Sequence, residues 1–442
     1  MKQILLTLTM VAAAAAANYS QKPEDVLATA GGATIKTKDL SEDLRKVIDG
    51  MPEFTRSLRA EIRDQLIGQR VLDLEAAALN TTTDKVIGAE RRKVPDPSEA
   101  EIAKATEANA QALAAFMPKE ARERVIAFLR SEPEQKAVAD LVARLRAKYK
   151  VTLGKDINSP AFAPTDVIAT VNGKPVTIAE YDEYAKDDLY EARAQLAELI
   201  LEELDGRLMD LLVPIEAKSL GIDAGELMAR EITNKMKTFT DEEREGLEEA
   251  LRDRLLKKYQ AKVLYKMPEP PVYKIATEGS PSDGPAAAPV TVVMFSDFQC
   301  SACAATHPVI KQLMGEYPGK IRLVVRNYPI DAIHPNARTA ARAAAAAHAQ
   351  GKFFPFIELL YKNQQSLDEA SLLRYAGMAG LNVDQFKLDS NAERTADVIR
   401  RDIADANAVR VDGTPTIFVN GIRLRELSYP AIKALIDRAL VK

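Results

Sequence analysis

The sequence predicts a multi-domain chain, mainly α over residues 24–266 and α/β over a last domain that starts at 272 or 290 and runs to 442. Three observations predict it. The first part holds long runs in which apolar residues recur at three- and four-residue spacing, the mark of helices with one buried face. The same part contains an internal repeat. The last part alternates strand-like and helix-like segments and carries the only two cysteines of the 442 residues, Cys300 and Cys303.

A chain of this length is expected to form about two to four domains. Hydrophobic residues make up 47% and charged residues 28%, with a net charge of −4. No basic face points to nucleic acid, and no acidic tail stands out.

Residues 1–20 read as a signal peptide. Lys2 gives a short positive start, Ile4 to Ala17 form an apolar run, and small residues suited to cleavage follow. The run is short for a membrane span, although an N-terminal anchor is the alternative reading. Export to a bacterial periplasm is the expectation. A cysteine pair can be oxidised there.

The repeat pairs DVLATAGG (25–32) with DVIATVNG (166–173), an offset of 141. Without a gap it then aligns Ile35 with Val176, Asp39 with Glu180, Leu58 with Leu199, Ile67 with Leu208 and Glu75 with Glu216, and it ends at Leu79 and Leu220. Each copy, 24–153 and 165–266, predicts a β-hairpin turning at Gly31-Gly32 or Asn172-Gly173, where both turn residues tolerate positive φ. A helix is expected to begin near Thr37 or Thr177, with a longer helix after it. In the second copy Leu196, Ile200, Leu204, Leu208, Leu211 and Ile215 form one apolar face, and Gly221 stops the helix. The tails, RLRAKYKVTL (144–153) and LLKKYQAKVLY (255–265), are basic helices that run into short β-prone pairs. Met228, Met236 and Phe239 read as core or as an adaptable groove.

VNGKPVTIAEYDEY (171–184) and LMDLLVPIEAKSLGID (208–223) resemble the N-terminal domain of SurA- and PpiC-type periplasmic chaperones. The resemblance implies two helical repeats that hold unfolded client chains. The amphipathic faces alone also fit a spacer or a dimerisation arm, so a homodimer is a further expectation. Neither copy leaves room for the prolyl-isomerase domain those chaperones usually carry, so no such activity is expected.

Residues 267–289 read as a proline-rich linker in which VYKIA (272–276) is a candidate edge strand. Then PVTVVMFSDF (289–298) predicts a buried strand, CSACAATHPVIKQLMGEY (300–317) a helix, and KIRLVVRNYPI (320–330) a strand. A helical stretch from His334 to Asn407, a hairpin of TIFVNG (416–421) with IRLREL (422–427), and a last helix from Tyr429 follow. Cys300 sits where a strand ends and a helix begins. Main-chain N–H groups and the helix dipole there favour negative charge and lower a thiol pKa. Cys303, one turn later, is expected to be more buried and to resolve mixed disulfides.

FSDFQCSAC (295–303), NYPI (327–330) and DGTPTIFVNG (412–421), in this order, resemble a DsbA-like thioredoxin fold with a helical insertion. Pro308 matches that family's helix-kinking proline. The resemblance implies a redox disulfide between Cys300 and Cys303. It also implies a cis Thr414-Pro415 bond which, with Gly413, exposes backbone for substrate docking. Ser301 and Ala302, between the cysteines, are expected to tune the potential toward a weaker oxidant than the strongest DsbA-type proteins. The family usually has a buried acid where this chain has Met294, so Asp297 is the candidate to move protons at Cys303. His307 is a candidate neighbour of the site.

Two other uses of the pair fit less well. A structural disulfide across two residues removes little chain entropy. Zinc needs about four ligands, and His334 lies far along the chain from His307. No metal and no dissociable cofactor is expected, since the disulfide itself carries two electrons. The expected function is thiol–disulfide exchange with unfolded or cysteine-containing exported proteins. The rivals are an isomerase or reductase kept reduced by a membrane redox partner, and a holdase chaperone with an accessory thioredoxin domain.

Overall fold

A computed structural model of the chain describes residues 22–114, 116–331 and 333–441. The expected signal peptide, 1–20, lies outside the described residues. The chain divides into two compact units, the first ending at Glu269 and the second starting at Pro270.

The first unit opens with the hairpin β1 (Val26–Ala30) and β2 (Ala33–Lys36). Gly31 and Gly32 both have positive φ, as Asn172 and Gly173 do in the second hairpin, β4 (Val167–Val171) and β5 (Lys174–Thr177). After the first hairpin comes only a single turn at Thr37–Asp39, and α1 starts later, at Glu42–Ala78, capped by the Ser41 hydroxyl. In the second copy one helix, α6 (Ile178–Leu220), runs unbroken and stops at left-handed Gly221. The first tail is α2 (Thr83–Arg91), α3 (Glu99–Ala108), α4 (Ala110–Leu113), α5 (Pro118–Lys148) and β3 (Thr152–Leu153). The second is α7 (Ala224–Glu231), α8 (Asp241–Lys258) and β6 (Lys262–Val263).

The copies exchange parts. Strand β1 pairs with β6 from the second tail, and β4 pairs with β3 from the first. Gly31 N–H donates to the Tyr259 carbonyl at 3.1 Å, and Asn172 N–H donates to the Tyr149 carbonyl at 2.7 Å. One core joins Leu27 to Met51 with Leu196 to Leu212 and Leu255. The other joins Ile62 to Ala76 and Leu145 with Ile168 to Ala185. Each lobe therefore takes its hairpin and half a helix from one copy and the rest from the other. Within each copy the counterpart acids make the same bond: Glu75 accepts from Lys148 and Tyr149, and Glu216 from Lys258 and Tyr259. Met228 and Met236 pack on the first core, but Phe239 is 72% exposed, so it is not core.

The second unit is a five-stranded sheet in the order β11-β10-β8-β9-β7. Its strands are β7 (Ser282–Asp283), β8 (Val290–Ser296), β9 (Ile321–Asn327), β10 (Thr416–Val419) and β11 (Ile422–Arg423). The central strands β8 and β9 are parallel, while β10 runs antiparallel to β8. VYKIA does not form a strand; Val272 makes a single bridge to Ile422, and Tyr273 N–H donates to the Gly421 carbonyl at 2.8 Å. The glycine- and proline-rich stretch 278–289 does contain one, β7, against β9. β11 stops at Arg423, short of the expected 427, and Leu424 N–H turns back to the Ile417 carbonyl at 2.8 Å. Gly421 has φ +82, and a Cβ there would overlap the Tyr273 carbonyl oxygen.

Helix α9 (Ser301–Glu316) follows β8 directly. Between β9 and β10 the chain makes α10 (Ala337–Ala349), α11 (Phe353–Lys362), α12 (Glu369–Met378), α13 (Val383–Asn391) and α14 (Glu393–Ala408), and α15 (Tyr429–Val441) closes the unit. Alternation along β8 sends Val290, Val292 and Met294 into the main core, and Val293 and Phe295 into a second one on the other face. The 1%-exposed Arg326 fastens β9 to α14 through Asp402 (2.8 Å) and Asp405, so its buried charge is paired.

Candidate functional site

The site is built where β8 ends. Cys300 is the N-cap residue of α9, so its sulfur lies at the positive end of the helix. Its N–H donates to the Asp297 carbonyl at 3.1 Å, which closes the turn. Gln364, just past α11, donates to the carbonyls of Phe298 (3.0 Å) and Cys300 (2.8 Å) and holds that turn from outside. The Thr414-Pro415 bond is cis, and the Cys300 thiol donates to the Thr414 carbonyl at 3.2 Å. The cis loop and the first cysteine, 114 residues apart, therefore meet. Gly413 belongs to the same loop, its carbonyl accepting from the Thr416 hydroxyl at 2.8 Å.

The two thiols differ strongly. The Cys303 thiol beside it, the Thr414 hydroxyl and the N–H groups of Cys303 and Ala302 bring Cys300 down from 9.0 to about 5, against the opposing effect of its own partial burial. Cys303 has no exposed surface, and burial pushes its thiol far up, with Cys300 adding to the effect. At neutral pH the pair is a thiolate beside a neutral thiol. Such a pair can attack a disulfide with the first sulfur and release it with the second. The Thr414 hydroxyl makes no hydrogen bond among the described residues, so it is available to the Cys300 thiolate.

Ser301 is exposed at the start of α9 and Ala302 follows it, so neither adds a charge beside the sulfur. Asp297 is buried, but its carboxylate turns to the chain after β9. It accepts from the N–H of Gln299 (2.8 Å) and of Ile330 (2.9 Å), and lies 2.8 Å from His334 Nδ1. What Asp297 offers Cys303 is its main-chain N–H. His307, four residues after Cys303, is 4% exposed, and its ring lies 5.2 Å from the Tyr361 ring. Burial pushes His307 below the usual imidazole range.

Four residues of the site escaped sequence reasoning. Ser296 shares a strand face with Met294, a signal available from the two-residue period. His334 lies far along the chain from the cysteines, and the turn after β9 returns it to Asp297. Tyr361 and Gln364 lie in the helical insertion, where no short-range pattern marks a residue that points toward the cysteines.

Residues 276–438 match the thioredoxin family model Thioredoxin_4. Among curated proteins the chain is 42% identical over 140 residues to Na(+)/H(+) antiporter NhaA 3 of Salinispora tropica, covering 32% of this chain and 21% of that protein. It is 37% identical over 142 residues to Na(+)/H(+) antiporter NhaA of Herminiimonas arsenicoxydans, covering 32% and 22%. The matched stretch thus spans about a fifth of these relatives' length. Among solved structures, BdbD from Bacillus subtilis is 23% identical with TM-score 0.36, covering 40% of this chain and all of that one. A thioredoxin-like oxidoreductase from Silicibacter pomeroyi is 29% identical with TM-score 0.35, covering 37% and 94%. The C-terminal unit of the chain carries a thioredoxin-like domain.

Proposed function

We propose that this chain is an exported, DsbA-like protein thiol–disulfide oxidoreductase that exchanges disulfides with periplasmic client proteins through Cys300 and Cys303. The observation that carries the reading is the split of the two thiols: Cys300 low at the start of a helix and against the cis loop, Cys303 buried and high. Cys300 attacks or is attacked, Cys303 resolves, and the backbone of Gly413 and Thr414 receives the client as an added strand. The disulfide is the only electron carrier the reaction needs.

The duplicated first unit is proposed to hold client chains, as the SurA-type resemblance implies. A pocket of about 520 Å³ lined by Leu44, Val47 and Leu199 together with Ser41, Asp43, Glu202 and Glu203 is a candidate place for a client segment. The antiporter names belong to proteins this chain covers by about a fifth, and no helix among the described residues is long and apolar enough to cross a membrane, so ion transport is not proposed.

Equilibration with glutathione buffers tests the direction of exchange. With no histidine between the cysteines, the potential should fall between about −120 and −270 mV, the values of a strong oxidant and of a thioredoxin. A value at the thioredoxin end would exclude the oxidase direction.

A further inference from the structure

Residues 297–300 lie between the end of β8 at Ser296 and the start of α9 at Ser301, outside the ladder bonds of both. The turn closes on itself through Cys300 N–H to the Asp297 carbonyl and Gln299 N–H to the Asp297 carboxylate. Each of its four residues also accepts a hydrogen bond from the stretch between β9 and β10. The Asp297 carboxylate accepts from Ile330 N–H at 2.9 Å and faces His334 Nδ1 at 2.8 Å. The Gln299 side-chain carbonyl accepts from Asn336 N–H at 2.6 Å. The Gln364 side-chain amide donates to the carbonyls of Phe298 at 3.0 Å and Cys300 at 2.8 Å.

Two of these donors are side chains, and they come from opposite ends of the stretch. His334 precedes α10, and Gln364 follows α11. The Asp297 side chain has no exposed surface, so its carboxylate depends on its donors. Against a carboxylate, Nδ1 is the nitrogen that carries the hydrogen.

We infer that the helical insertion positions the Cys300 sulfur, with His334 gripping Asp297 and Gln364 gripping the carbonyls of Phe298 and Cys300 as its two side-chain anchors. The inference deepens the exchange reading proposed above and rests on it. Both anchors are positioning residues, because they act through the turn and not on the sulfur. The groups that favour a Cys300 thiolate sit on α9 and on the cis loop: the N–H groups of Ala302 and Cys303, the Cys303 thiol and the Thr414 residue. Hydrogen bonds to them weaken steeply with distance and misalignment, so a turn that drifts loses part of each. Cys303 and Tyr361 are the titratable side chains that interact with Cys300, and neither is substituted in the test. On the chain after β9, Asp331 pairs with Arg338 at 2.9 Å.

The test titrates the thiolate absorbance of the full reduced chain and equilibrates the same chain with glutathione. His334→Leu and Gln364→Met remove the donors and keep apolar bulk. Each should raise the Cys300 midpoint by about half a unit, or about threefold in acidity. Each should shift the glutathione equilibrium by about the same factor toward the protein disulfide, because the reduced form loses stabilisation. His334→Asn, whose amide nitrogen takes the place of Nδ1, should restore both. A wild-type midpoint in either donor-less variant, whatever its melting temperature, overturns the inference, and so does a His334→Asn chain that behaves as His334→Leu. If His334→Leu does not fold, Gln364→Met decides alone. The titration needs no disulfide partner. A wild-type chain that forms no mixed disulfide with glutathione therefore overturns the exchange reading, while the midpoints still decide whether the anchors position the sulfur.

Discussion

Cys300 and Cys303 lie one helical turn apart, and their surroundings make them different acids. Lowered from 9.0 to about 5, Cys300 gives the reduced protein a pH signature. A group whose pKa is depressed on folding stabilises the fold above its unfolded value and loses that contribution as pH falls through the folded one. The reduced chain should therefore lose stability as pH drops from 9 toward 5. Cys303, raised on folding, has the opposite sign and removes stability as pH climbs above 9. Urea unfolding of the reduced chain across this range checks both limbs, and a Cys300→Ser variant should lack the lower one. Thr414→Val, which keeps the shape and deletes the hydroxyl, should move the thiolate absorbance midpoint of Cys300 upward; an unchanged midpoint would mean that the Thr414 hydroxyl does not stabilise the thiolate. The cysteines and the Thr414-Pro415 loop were legible in the sequence because they sit in short motifs. Ser296 and Tyr361 were not, because the two hydroxyls that meet are 65 residues apart and no short motif links them.

At the scale of elements, the hairpins and long helices of the first unit followed from turn residues and periodicity, but their partners did not. A buried stripe says that a helix packs, not which of two similar copies it packs against. Arg70 on α1 donates to the Glu180 carboxylate, on the other copy's helix, and Asp39 is Glu180's counterpart in its own copy. A double-mutant cycle should give Arg70 and Glu180, whose side chains are 30% and 33% exposed, a coupling of about 0.5–1 kcal/mol, and Arg70 and Asp39 none. The reverse result would mean that the copies do not exchange. In the second unit, Gly421→Ala meets both a positive φ and the Tyr273 carbonyl, and should cost more than about 1 kcal/mol by thermal unfolding. Residues 272–273 run beside this turn because Gly421 leaves room for their backbone, which composition alone does not reveal.

Across the whole molecule, the chain joins a unit without cysteine to one that holds both. A low-pKa thiolate at a helix start is useful only if a disulfide reaches it, and the duplicated unit is the proposed means of bringing client chains. A chain with Cys300→Ser and Cys303→Ser should keep any holding activity toward unfolded protein, measured as suppressed aggregation, while losing disulfide exchange. Loss of both would tie client handling to the cysteines instead of to the helices.

The central claim is that Cys300 attacks and Cys303 releases. Trapping with Cys303→Ser in the exporting cell tests it most directly. The account predicts mixed disulfides linked through Cys300 to exported cysteine-containing proteins, abolished by adding Cys300→Ser. No trapped species under oxidising conditions would contradict it.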